Sequence, residues 1–105
     1  MHEAVLPPSG QGTVVLDIGA DTGALVLHTP AELDGHEIEI SLYGASERTH
    51  SQVRQRHVAG SVRYAAVYPG LHEGEYVLWR DEATPAASVT IIGGQVTSLH
   101  WPSAS

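Results

Sequence analysis

Apolar and polar positions alternate along the chain with the two-residue period that lays one face of an extended strand on a core and turns the other to solvent. The clearest run is HEIEISLY, in which Ile38, Ile40 and Leu42 share one face and Glu37, Glu39, Ser41 and Tyr43 the other. This reads as a half-buried strand. The richest stretch, VRYAAVYPGLHEGEYVLWR, holds two aromatic-bearing runs. Val62, Tyr64, Ala66 and Tyr68 share a parity in the first, and Tyr76 and Leu78 in the second. Pro69, Gly70 and Gly74 punctuate the connection, so the stretch predicts a hairpin-like pair of strands.

The remaining runs fit the same scheme. TVVLDIG and ALVLHT flank an Asp- and Gly-containing turn and predict a hairpin, with Leu16, Ile18, Leu25 and Leu27 facing in and Val26 and His28 facing out. PAELDG is too short for a helix and makes one turn at most. After a GASE turn, RTHSQVRQRH returns as one strand. Matching apolar to apolar and acid to base sets Ile38 opposite Val53 and Glu37 opposite Arg54. Carried round Ala59 and Gly60, that register sets Val53 opposite Ala66, Gln55 opposite Tyr64 and His57 opposite Val62. SVTII and QVTSLHW flank Gly93 and Gly94 and predict a last hairpin, with Val89, Ile91, Leu99 and Trp101 facing in. About seven to eight short strands without a helical period predict an all-β fold, an antiparallel Greek-key β-sandwich. Residues 12–102 form its single domain, after a Pro-, Gly- and Ser-rich arm over residues 1–11 and before a short tail over 103–105.

Composition narrows the partners. The chain has no cysteine, which excludes disulfides, thiolate metal sites and cysteine nucleophiles. It also lacks lysine, asparagine and phenylalanine, whose codons are AT-rich, a bias of the high-GC kind found in actinobacterial genomes. A formal charge of −7 argues against nucleic acid or an anionic membrane as partner. No run approaches a membrane span, and the opening MHEAVLPPSGQG lacks the basic and apolar segments of a signal peptide, so the expected location is cytoplasmic.

Over roughly the last 45 residues, YAAVYPGLHEGEYVLW followed by SVTIIGGQVT resembles the carboxypeptidase regulatory-like, or transthyretin-like, β-sandwich modules. Their pattern of an aromatic strand, a Gly-Leu, a further Gly, a Tyr-containing strand and a final strand entered after a Gly falls on Tyr68, Gly70, Leu71, Gly74, Tyr76 and Gly94. The resemblance implies an accessory, stabilising or binding module rather than an enzyme. Fold alone assigns no partner.

The side chains that could carry chemistry are few. Seven histidines are available as ligands for Zn, Cu or Ni, and His50, His57 and His72, close to the central stretch, form the best candidate set. His50 and His57 differ in parity and so project from opposite faces of an unbulged strand, although His50 could join Glu39, diagonal to it on the outer face. The serines lack the strained elbow of a hydrolase. Glu37 and Glu39 against Arg54, Arg56 and Arg63 read as a solvated outer face with cross-strand ion pairs. Trp79 has the parity opposite to Tyr76 and Leu78, which turns it outward beside Val77 as a docking surface for a protein partner or a second copy, as in a homodimer. The expected activity is therefore protein binding or self-association without catalysis and without a cofactor. The alternative is a histidine-dependent protein that binds a transition metal, Zn, Cu or Ni.

Protonating the seven histidines would cancel the −7 charge before any carboxylate titrates. With an unperturbed imidazole pKa of about 6.5, this loss of repulsion falls just below neutrality. Soluble protein, measured as absorbance after centrifugation, is expected to fall as the pH drops from about 7 to about 5.5. A flat profile would show that the histidines do not govern colloidal behaviour.

Overall fold

A computed structural model describes residues 15–102; the arm over residues 1–11, the start of the expected first strand and the tail over 103–105 lie outside the described residues. The described residues form eight strands: β1 (Thr22–His28), β2 (Glu37–Leu42), β3 (Thr49–Gln52), β4 (Arg54–Val58), β5 (Ser61–His72), β6 (Gly74–Trp79), β7 (Pro85–Ile91) and β8 (Val96–His100). PAELDG contributes one 3-10 turn, Ala31–Leu33. Sheet 1 has the order β4-β5-β1-β8 and sheet 2 the order β3-β2-β6-β7. The fold is the expected all-β sandwich, and no helix among the described residues is long and apolar enough to cross a membrane.

The hairpins β2–β3, β4–β5 and β6–β7 each stay within one sheet, and every other connection passes from one sheet to the other. Three of those passages fall where the sequence pattern predicts a continuous strand or a hairpin. The first is at Val53. The run RTHSQVRQRH splits there into β3 of sheet 2 and β4 of sheet 1, and Val53 has no accessible surface. Its N–H donates to the His36 carbonyl at 2.8 Å, and its carbonyl accepts from Gly35 N–H at 2.9 Å. Glu37 therefore stands opposite Gln52, Ile38 opposite Ser51 and Glu39 opposite His50, two residues away from the expected pairing. A shift of two preserves the side-chain period, so Ile38 and Ile40 remain in the core. The expected Glu37–Arg54 match loses because an exposed ion pair contributes under about 1 kcal/mol. Beyond the corner the expected register holds, with Gln55 opposite Tyr64 and His57 opposite Val62.

The second passage divides the aromatic stretch. β5 and β6 do not pair as a hairpin but lie in different sheets, and β5 runs through Pro69 and Gly70 as one strand. Against β1, Tyr68 is opposite Leu25 and Leu71 opposite Gly23, so three steps of β5 match two of β1. This bulge accommodates a proline that has no N–H for the ladder. It also reverses the parity, so Tyr68 and Leu71 both reach the core. The change of sheet comes at Gly74, whose φ of 148° favours glycine.

At the third passage, Gly93 and Gly94 lead out of sheet 2 rather than closing a hairpin. A Cβ at Gly93 would collide with the Ala20 carbonyl oxygen, and Gly94 N–H donates to the Thr22 carbonyl at 3.0 Å. The chain is thereby led to β1, which β8 joins from Ala24 opposite Val96 to His28 opposite His100. Among the described residues this is the one parallel pair in an otherwise antiparallel sandwich. The hairpin expected before β1 is also replaced. Residues 15–20 form no strand, Ile18 is 36% exposed rather than inward, and Asp17 N–H donates to the Pro69 carbonyl at 2.9 Å.

The core joins Leu25, Leu27, Ala66 and Tyr68 of sheet 1 to Ile38, Ile40, Tyr76, Leu78 and Ile91 of sheet 2, with Val53 at the corner. Leu99, Val89 and Trp101 pack against it from partly exposed positions. Leu42 and Val62, expected inside, are 36% and 49% exposed; Leu42 is the last residue of β2 and Val62 the second of β5, each next to a turn. One buried polar contact joins the layers: the Tyr68 hydroxyl donates to the Ile38 carbonyl at 2.6 Å. Burial pushes that phenol well above its ordinary pKa.

Val53→Asp places an unpaired charge in the corner and is expected to cost more than about 3 kcal/mol, a large share of the roughly 5–15 kcal/mol that holds a domain of ordinary stability. Gln52→Asp, on an exposed position, is expected to stay within about 1 kcal/mol. Thermal melts of the two proteins check this, and equal melting temperatures would contradict the corner.

Candidate binding groove

Outward positions of sheet 2 come from alternate residues of three strands. The register sets Ser41 of β2, Val77 of β6 and Ser88 of β7 in one row across the sheet. Tyr43 N–H donates to the Glu75 carbonyl at 2.8 Å, which continues the β2–β6 ladder and lays Tyr43 beside the next row. Trp79 and Pro85 pair at the far end of the β6–β7 hairpin, where an irregularity in the ladder admits the proline. Between Tyr43 at one end and Trp79 with Pro85 at the other runs an open groove of about 750 Å³, floored by Val77 and Ser88. Glu75 borders it, and among the described residues no other charged side chain lines it.

Trp79 and Val77 face outward as their parity predicts, but both are half-buried rather than open. The indole N–H donates to Ser41 Oγ at 2.9 Å, which satisfies a hydroxyl on a residue with almost no accessible surface. The Arg48 guanidinium sits 3.9 Å from the indole ring centre. The same guanidinium donates from Nη1 to Glu39 Oε1 at 2.9 Å and from Nη2 to the Glu82 carbonyl at 2.7 Å. Arg48 thus clips the loop after β2 to the turn after β6 across the tryptophan, and its charge is taken up by Glu39.

The turn that supplies the Glu82 carbonyl is itself fixed. Asp81 Oδ1 accepts from the N–H groups of Ala83 and Thr84, each at 2.9 Å. Those bonds, the Ala83 amide first, hold the Asp81 carboxyl below the usual carboxylate range. Arg80 N–H closes the turn on the Thr84 carbonyl at 2.7 Å, which delivers Pro85 beside Trp79. The groove wall is therefore preset by backbone bonds that do not depend on a ligand.

The candidate metal ligands are placed apart. His50 is exposed on β3 of sheet 2, opposite Glu39, with Nε2 3.9 Å from Glu37 Oε1. The two-residue change of register puts Glu39 directly across from His50, where Ser41 was expected. His57 lies on β4 of sheet 1. His72 ends β5 and lines a smaller cleft of about 340 Å³ next to Leu42 and Arg48. Among the described residues no three His, Asp or Glu side chains form a group that could hold a metal ion.

Sequence reasoning missed Arg48, Tyr43 and Pro85 as parts of this surface. Arg48 carries no periodic signal because it precedes β3 in a loop. Pro85, in a run that reads as loop, becomes part of the wall only through the Asp81 turn. No known family model, no curated protein and no solved structure matches the chain.

Proposed function

We propose that the chain acts by binding, as an interaction module whose sheet 2 groove receives an extended segment of a partner protein. The observation that carries this reading is the preset groove between Tyr43 and Trp79, with its uncharged floor of Val77 and Ser88. Such a trough suits an extended peptide, whose alternate side chains can enter while its backbone stays solvated. Aromatic anchors with a polar rim are the usual composition of such surfaces. Charge selects the partner. Glu37, Glu39 and Glu75 all stand on outward positions of this sheet, so a two-fold contact of this face with its own copy would bring like charges together in a chain that carries −7 overall. A neutral to basic segment of another protein meets no such repulsion. The role corresponds to the accessory or binding modules that the transthyretin-like resemblance implies.

Selection of a random peptide library displayed on phage against the immobilised protein tests the reading. Enriched peptides are expected to carry apolar or aromatic residues flanked by Arg or Lys. They should lose at least about tenfold in affinity for Val77→Glu, a difference of about 1.4 kcal/mol, while the variant keeps its thermal melt. No enrichment, or peptides indifferent to Val77→Glu, would overturn the groove as the binding site.

A further inference from the structure

The charges of this acidic chain are sorted by sheet. The strands of sheet 2 carry Glu37, Glu39 and Glu75 and no arginine, whereas those of sheet 1 carry Arg54, Arg56 and Arg63 and no Asp or Glu. The ladders give the arrangement on sheet 1. Arg54 is opposite Ala65, Ala65 opposite His28, and His28 opposite His100, so one row crosses all four strands. Three strand spacings make this row about 14 Å long. Arg63 lies opposite Arg56 on the same face, two positions along from Ala65.

The middle of the row is low, with guanidiniums at one end and imidazoles at the other. Ala65 is a buried alanine, while the guanidiniums of β4 and β5 stand on one side and the imidazoles of His28 and His100 on the other. The two imidazoles stack with ring centres 4.9 Å apart and an angle of 27°. Arg56 is anchored by Nε to the Ala65 carbonyl at 3.3 Å. Among the described residues Arg54 and Arg63 form no ion pair, although Arg48 on the acidic side does. Burial holds the His28 pKa below its usual value, and the nearby His100 and Arg63 push it further the same way. The strands thus bring Arg54 and Arg63 close together, with no ion pair to either among the described residues.

We propose that the outer face of sheet 1 is a binding site for a small soluble molecule bearing two or more phosphate groups. Guanidiniums match phosphate oxygens in bidentate fashion, and paired imidazoles add donors once protonated. The size limit follows from the global charge. A long polyanion such as nucleic acid meets the repulsive field of the whole chain, whereas a compact ligand samples mainly the local cluster, because charges beyond about 8–10 Å are screened at physiological salt. The anion also offsets the repulsion that His100 and Arg63 exert on a His28 proton. Binding and protonation therefore favour each other, and affinity rises as the pH falls through the imidazole range.

Cyclic trimetaphosphate, whose charge does not titrate between about pH 6 and about pH 8, is a suitable probe because any pH effect then belongs to the protein. It is titrated into the isotopically labelled chain and followed by amide NMR shifts. Expected are shifts centred on Arg54, Ala65 and His28, at least about tenfold tighter binding at the lower pH, and at least about tenfold weakening in Arg63→Gln. The double substitution His28→Ala with His100→Ala is expected to remove the pH dependence. If Arg63→Gln fails its thermal melt, Arg54→Gln on the edge strand is read in its place. No shifts, shifts centred on Arg48 and Arg80, or affinity indifferent to both pH and the arginine substitutions would overturn the site. The Val77→Glu protein should bind the probe normally, which separates a failure here from a failure of the peptide groove.

Discussion

Two apolar sheet faces pressed together resist separation far better than sliding, because hydrophobic burial has no direction. In this sandwich the Tyr68 hydroxyl supplies the direction. It crosses from β5 to the Ile38 carbonyl of β2 inside the core, where an unpaired polar group would be costly. The Ser51 hydroxyl adds a second tie from β3 to the Val67 carbonyl at 2.7 Å, nearer the surface. With β5 held against β2 and β3, Val53 is the residue that falls at the corner between the sheets, and the register of the β2–β3 hairpin follows. The bulge at Pro69 and Gly70 belongs to the same arrangement, since it lets the residues on either side of it, Tyr68 and Leu71, face the same core.

The outer surfaces inherit their chemistry from this alignment. Each strand that lends its apolar face to the core shows the other to solvent, so fixing the core rows also fixes the outer ones. On sheet 2 that brings Ser41, Val77 and Trp79 together under Arg48. On sheet 1 it brings Arg54, Arg63, His28 and His100 to one end of the face. The tryptophan is held by its N–H, its ring face and the neighbouring turn at once, which makes the groove wall a rigid feature rather than an adaptable one. The second tryptophan is treated similarly: the Arg80 guanidinium stands 5.4 Å from the Trp101 ring centre.

Local alternation was legible in the sequence wherever one face of a strand is buried. The inward sets Ile38 with Ile40, Leu25 with Leu27, and Tyr76 with Leu78 were readable from parity alone, as were the outward histidines His28 and His100. The β4–β5 register was also readable, because Ala59 and Gly60 make a turn short enough to dictate it, with Ala59 itself at a φ of 49°. What was not legible is which strand pairs belong to the same sheet. A corner such as Val53 keeps the alternation intact, so RTHSQVRQRH reads as one strand. Gly93 and Gly94 have the composition of a tight hairpin, and only the close approach of Ala20 shows why the chain leaves the sheet there. The groove was half legible: parity exposed Trp79 and Val77, but the Arg48 contact joins residues 31 positions apart and leaves no local trace. The stacked histidines were each placed outward correctly, yet their meeting depends on a parallel pairing that no turn signal announces.

Replacing Tyr68 by phenylalanine isolates the bond between the layers, because it keeps the ring in the core and removes only the hydroxyl. If that bond fixes the alignment of the sheets, urea unfolding should show a loss of about 1–3 kcal/mol, seen as a lower midpoint with an unchanged slope. A midpoint equal to that of the unmodified chain would contradict it and would leave the alignment to apolar packing and the Ser51–Val67 bond.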